Sequence, residues 1–124
     1  MKIFINNSVI QIYNNNLYDY YLFDSNKPII IFDFIKKNKY YTYLIINDEN
    51  IHLLIINNNN IILNYEKPNP PKNSGIHIYY ILIYQQNSIF YLKKNDSINI
   101  NLNNFIDKYN LLLIDKFIFK VIHK

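Results

Sequence analysis

The sequence predicts a mainly β protein, a sandwich-like assembly of antiparallel strands with one short helix near residues 102–110. Three observations predict it. Half of the 124 residues are apolar, and Ile, Tyr and Phe, which fit a pleated and half-buried surface, are prominent among them. Asparagine and proline interrupt these runs at strand-length intervals. One segment alone departs from the pattern: between 102 and 111, apolar residues fall at 102, 105, 106 and 109, the period of a helix.

Taken in order, strands are expected at 2–5, 8–13, 17–23, 28–35, 39–46, 51–56, 61–65, 76–84, 88–92 and 116–122. Asn6-Asn7 and the asparagines at 57–60 fit hairpin turns, because asparagine tolerates the positive φ such turns require. The unbroken run Pro28-Ile29-Ile30-Ile31-Phe32 reads as a strand covered on both faces. Residues 67–74 form the clearest loop, with Pro68, Pro70 and Pro71. Asn101 or Asn103 is suited to cap the helix. No internal repeat is visible, and the length suits one domain over 1–124.

Composition narrows the chemistry. Ala, Arg, Trp and Cys are absent, while Ile, Asn, Tyr, Lys and Leu dominate. These favoured residues have AT-rich codons, so the bias reads as genomic, and a large DNA virus or similar AT-rich parasite is the expected source. Asparagine runs in such a chain are not prion-like tracts. Without cysteine there is no disulfide or thiol chemistry, and His52, His77 and His123 are little material for a metal site. No cofactor is implied. No apolar stretch has transmembrane length and the first residues lack a signal-peptide core, so a cytoplasmic protein is expected, or a virion one if viral. The net charge is +4 and the pI about 9.1. The lysines are scattered, paired only at Lys36-Lys37 and Lys93-Lys94, so nucleic acid is not an expected partner.

The only glycine lies in Pro70-Pro71-Lys72-Asn73-Ser74-Gly75-Ile76-His77-Ile78-Tyr79. On a strand His77 and Tyr79 share one face, roughly 7 Å apart. An imidazole, a phenol and the turn beside them make a cup for a small anionic or polar group. Enzymatic readings find little. Asp48, Glu49 and Asp107 form no acid–base pair, Asp48 and Glu49 being expected to face solvent from a turn. Ser74 lacks a nucleophile elbow, and one glycine cannot build a phosphate-cradling loop. Lys67 and Lys72 read as solvated loop charges, and His123 as an exposed terminal residue.

This stretch, continuing through Leu82-Ile83-Tyr84-Gln85-Gln86, resembles the proline-rich loop, Gly-X-His-X-Tyr strand and closing Tyr-Glu-Gln of the phosphatidylethanolamine-binding protein family. Asn99-Ile100-Asn101-Leu102-Asn103-Asn104-Phe105-Ile106-Asp107-Lys108-Tyr109-Asn110-Leu111 is similar to that family's late helix, with its Phe followed by Lys-Tyr-X-Leu. Tyr41-Thr42-Tyr43-Leu44-Ile45-Ile46 and Ile51-His52-Leu53-Leu54-Ile55-Ile56-Asn57 resemble its central strand and the strand that opens on its other pocket histidine. The resemblance implies a β-sandwich of that type, shorter than typical members. It also implies a pocket for a phosphorylated or anionic group at His52, His77, Tyr79, Pro70, Pro71 and Gly75.

The departures are specific. The family's Asp-Pro-Asp loop is reduced to Asn47-Asp48-Glu49-Asn50, with Asn47 where the first pocket aspartate would be. Lys67 and Asn69 replace glycines before the proline pair, and Ile78 replaces an arginine. The resemblance implies a non-enzymatic regulatory protein with a protein partner such as a signalling kinase. The alternative is a structural or assembly protein, viral in origin, that keeps the fold and has lost the pocket.

Overall fold

The computed structural model describes residues 1–5, 10–23, 28–32, 36–48, 50–92 and 101–124. The expected turn at Asn6-Asn7, the ends of the strands drawn at 8–13 and 28–35, and Lys93-Lys94 lie outside these residues. The chain forms β1 (Lys2–Ile5), β2 (Ile10–Ile12), β3 (Leu17–Asp19), β4 (Ile30–Phe32), β5 (Tyr40–Asn47) and β6 (Asn50–Ile56). β7 (Asn60–Leu63), β8 (Ile76–Gln86), α1 (Leu102–Lys108) and β9 (Leu112–Ile122) follow. Two sheets result. One is three-stranded, in the order β2-β1-β4; the other is six-stranded, in the order β3-β9-β8-β5-β6-β7. Every pairing is antiparallel except β3 with β9.

The large sheet is covered on both faces, and alternation along β8 shows how. Tyr79 and Ile81 join Ile3, Ile5 and Ile12 of the small sheet in one core cluster. Leu82 and Tyr84 point the other way and pack with Leu44, Leu54, Ile56 and Phe105 of α1. The predicted helix is present. Asn101 is its cap, its Oδ1 accepting from the Asn104 N–H at 3.1 Å. Asn110, at φ 51°, ends it in a left-handed turn in which the Leu111 N–H donates to Ile106 O and the Asn110 N–H to Asp107 O.

Asparagine here does what glycine does in most chains. Among the described residues, positive φ is adopted by Asn15, Asn38, Asn57, Asn58, Asn73, Asn110 and Asp48, alongside Gly75. Asn and Asp enter this region at less cost than other side chains because their short polar groups bond locally. The turn after β6 is the fullest case. The Asn58 N–H donates to Tyr41 O while Asn58 Oδ1 accepts from the Tyr41 N–H. Asn57 exchanges bonds with the buried Gln86, whose Oε1 also accepts from Thr42 Oγ1 at 2.8 Å.

Three expected strands differ; the one expected at 116–122 begins four residues earlier, at Leu112. The run expected at 17–23 is strand only to Asp19; residues Tyr20–Phe23 wind into a 3-10 turn, started by Asp19 Oδ1 accepting from the Tyr21 N–H at 2.9 Å. Residues 88–92 are not a strand. Their backbone bonds to the Asn57 side chain instead of a ladder, and Phe90 turns inward to stack on Tyr109 at 3.9 Å. No helix among the described residues is long and apolar enough to cross a membrane.

Candidate functional site

β5 and β6 form a tight hairpin whose ladder closes at Asn47 opposite Asn50, with Asp48 at φ 39° in the turn. Asn47 Nδ2 donates to Ile78 O at 3.0 Å and ties this turn to β8. The register breaks just behind it: Ile45 faces Leu53, yet Ile46 faces Ile51, so His52 is one residue too many on β6. Such a bulge re-aims a side chain. Strict alternation would send His52 to the face of Leu54, under α1. The bulge brings its ring instead edge-on to Tyr79, at 5.2 Å.

The loop after β7 clasps this histidine. The Glu66 N–H donates to His52 O, and His52 Nδ1–H donates to Glu66 O, both at 2.7 Å. A carbonyl only accepts, so Nδ1 carries the proton and Nε2 is left for the cavity. Pro68 and Pro70 are buried beyond the clasp. His123 is no free terminal residue. Its Nδ1–H donates to Pro70 O at 3.0 Å, its ring stacks on Tyr20 at 4.0 Å, and its carbonyl accepts from the Asn73 N–H. The end of β9 thus supports the proline loop.

Ser74 Oγ lies 2.5 Å from Pro71 O and 2.7 Å from His77 Nε2. The hydroxyl has one proton, and the short contact with a carbonyl requires it there, so His77 is the donor to Ser74. The histidine does not activate this serine. Gly75, at φ +89°, has open space where a Cβ would stand; it is needed for the turn's conformation.

His52, His77, Tyr79, Pro70 and Pro71 converge on one cavity of about 700 Å³, while Gly75 shapes the turn and is not among its walls. Asn47, Asp48, Asn50, Glu66, Lys67 and Asn69 complete the lining. Asp48 is exposed, as expected, and also borders the cavity; Lys67 lines it as well. Glu66 was not foreseen; its place directly before the Lys67-Pro68 loop was the available signal. Burial pushes the Tyr79 phenol up to about 12, offset in part by the Asn69 N–H that donates to its oxygen and reinforced by the Asp48 charge. Burial raises the Tyr65 phenol further, with Tyr79 adding to it.

The fold has clear counterparts among solved structures. A phosphatidylethanolamine-binding protein from Plasmodium vivax superposes with a TM-score of 0.67 at 14% identity, over 98% of this chain and 85% of that one. The fold is that of the phosphatidylethanolamine-binding proteins. The Plasmodium falciparum protein of the same name gives 0.64 at 15% identity, over 96% and 83% of the two chains. Carboxypeptidase Y inhibitor, in complex with its cognate proteinase, gives 0.66 at 16%, over 98% and 83%. No protein-family profile and no curated protein matches the sequence. Within this phosphatidylethanolamine-binding-protein fold, the abbreviated Asn47-to-Asn50 segment is the plain hairpin described above.

Proposed function

We propose that the protein is a non-enzymatic binding and regulatory protein that takes a small phosphorylated or other anionic group in the cavity of His52, His77, Tyr79 and the Pro70-Pro71 loop. The observation that carries this reading is the convergence of two imidazoles, a phenol and Lys67 on one cavity. Tyr79 keeps its O–H through the whole neutral range, because its titration is pushed to about 12. Each imidazole already commits one N–H to the protein. An anion that carries its own proton, as a monoprotonated phosphate does, can donate it to the remaining ring nitrogen; phosphate esters change protonation near pH 6.

Asp48 and Glu66 on the same walls suit a cation next to the anion. Phosphorylethanolamine combines both charges, and two fold neighbours are named for binding phosphatidylethanolamine. A third is in complex with a proteinase, which supports a protein partner here; a signalling kinase is the one the sequence resemblance implies.

The test is an NMR titration of the imidazole and phenol resonances with inorganic phosphate and phosphorylethanolamine, on the wild type and His77→Ala. Saturable shifts at His52, His77 and Tyr79, weakened in the variant and stronger with phosphorylethanolamine, are expected. Silence at all three to millimolar ligand would refute the reading. A second reading, an assembly protein that kept the fold without the site, is favoured by Leu112, Leu113 and Ile114, which are 62%, 45% and 43% exposed. Sedimentation equilibrium decides it, since that reading requires self-association.

A further inference from the structure

The end of the molecule opposite the cavity carries a surface of a different kind. β5 starts there with Tyr40 and reaches the cavity at Asn47, a rise of roughly 23 Å along the strand. Lys36, Lys37 and Lys39 are exposed around a turn in which Asn38 has φ 62° and the Lys39 N–H donates to Lys36 O. Asn58 Nδ2 donates to Lys39 O at 3.0 Å and holds that turn. The adjacent Asn57 donates to Phe90 O at 2.7 Å and accepts from the Phe90 N–H. Two neighbouring amides thus fix the lysine turn and residues 88–92 side by side.

With Phe90 stacked inward on Tyr109, its neighbours are turned out. Ile89 is 43% exposed and Tyr91 83%, and Ile61, just past the asparagine turn, is 54% exposed. The Phe90 backbone between Ile89 and Tyr91 is bonded to Asn57, and Ile61 is held in β7 opposite Ile55, so the fold presents these apolar side chains to solvent. Among the described residues, Asp48 and Glu66 line the cavity, Asp115 faces the amino terminus and Asp19 ends β3 opposite Ile122, while Asp107 is on α1, two residues before the Tyr109 that stacks on Phe90.

We propose that this end docks on an anionic lipid bilayer, with Ile89, Tyr91 and Ile61 entering the interface and Lys36, Lys37 and Lys39 against the lipid phosphates. Tyrosine settles at headgroup level, aliphatic side chains enter the acyl boundary, and lysines add attraction to anionic lipid. A nucleic acid would use Tyr91 for stacking but has no partner for Ile89 and Ile61, so the bilayer is the occupant the chemistry favours. In this orientation the cavity faces away from the membrane, toward soluble molecules. The proposal does not rest on what the cavity binds.

The test is co-sedimentation with phosphatidylcholine vesicles, with and without phosphatidylserine. Binding is expected only with phosphatidylserine, weakening as salt rises from about 0.1 to 1 M. K36E/K37E/K39E should weaken it by on the order of a hundredfold, about fivefold for each lysine lost. The chain has no tryptophan, so Tyr91→Trp supplies a single reporter. Its emission should shift to the blue on phosphatidylserine vesicles, while Tyr13→Trp, at a position 56% exposed on another face, should not shift. Inorganic phosphate, matched in ionic strength with chloride, should leave vesicle binding unchanged. Equal binding to both vesicle types, an unaffected charge-reversal variant, a shift at both tryptophan positions, displacement by phosphate, or tighter binding to a single-stranded oligonucleotide than to the vesicles would each overturn the proposal.

Discussion

Replacing Tyr79 with phenylalanine should make the protein less stable at neutral pH and more stable at high pH. Tyr79 is 2% exposed, and burial lifts its phenol from 10.0 to about 12. Between these values the unfolded chain has lost the phenolic proton and the folded chain still holds it. Stability from this group is therefore whole below pH 10 and falls as pH rises to 12, by about 2–3 kcal/mol at about 1.4 kcal/mol per pH unit. Phenylalanine cannot titrate, but it strands the Asn69 N–H that donates to the phenol oxygen, costing about 1 kcal/mol at every pH. The two stability curves should cross between pH 10 and 12. Urea unfolding followed by far-UV circular dichroism at pH 8 to 12 measures this. The raised phenols of Tyr65 and Tyr84 are present in both proteins and largely cancel in the difference. Parallel curves across that range would refute the claim that Tyr79 is held as a buried neutral phenol.

Three further outcomes are expected. Asn57→Ala removes one of the acceptors of the 4%-exposed Gln86 and both side-chain bonds that anchor Phe90, and should cost about 2–3 kcal/mol in urea unfolding. Asn110→Ala must hold a φ of 51° without an asparagine side chain and should cost about 1 kcal/mol, whereas Asn110→Gly should cost nothing, as thermal melts would report. His52→Ala loses the ring half of the Glu66 clasp, costing about 1 kcal/mol, and should also weaken phosphate-induced NMR shifts at His77; unchanged shifts there would remove His52 from the site.

What was legible in the residues followed the range of the forces involved. The helix was readable because its apolar period and the candidate caps Asn101 and Asn103 act within a few residues along the chain, whereas its end at Asn110 was not read. The asparagine turn at 57–60 and the loop at 67–74 were readable for the same reason, since positive φ and proline are local constraints. The residues of the cavity were named with the help of a family resemblance; spacing alone put only His77 and Tyr79 on a common face. Residues 88–92 have strand composition, yet their backbone partner is a side chain 33 positions away. That is a contact no window of sequence contains.

By itself, then, the sequence determined the mainly β class, the presence of the late helix and the asparagine turn at 57–60. Only the tertiary structure decided that His52 faces Tyr79, because that depends on a one-residue mismatch between β5 and β6 that reverses the alternation. It likewise decided that His123 supports Pro70 and that β3 lies parallel to β9, both set by chain segments that are distant in sequence. Periodicity and capping are properties of neighbours, whereas register and facing are settled when separate strands pack.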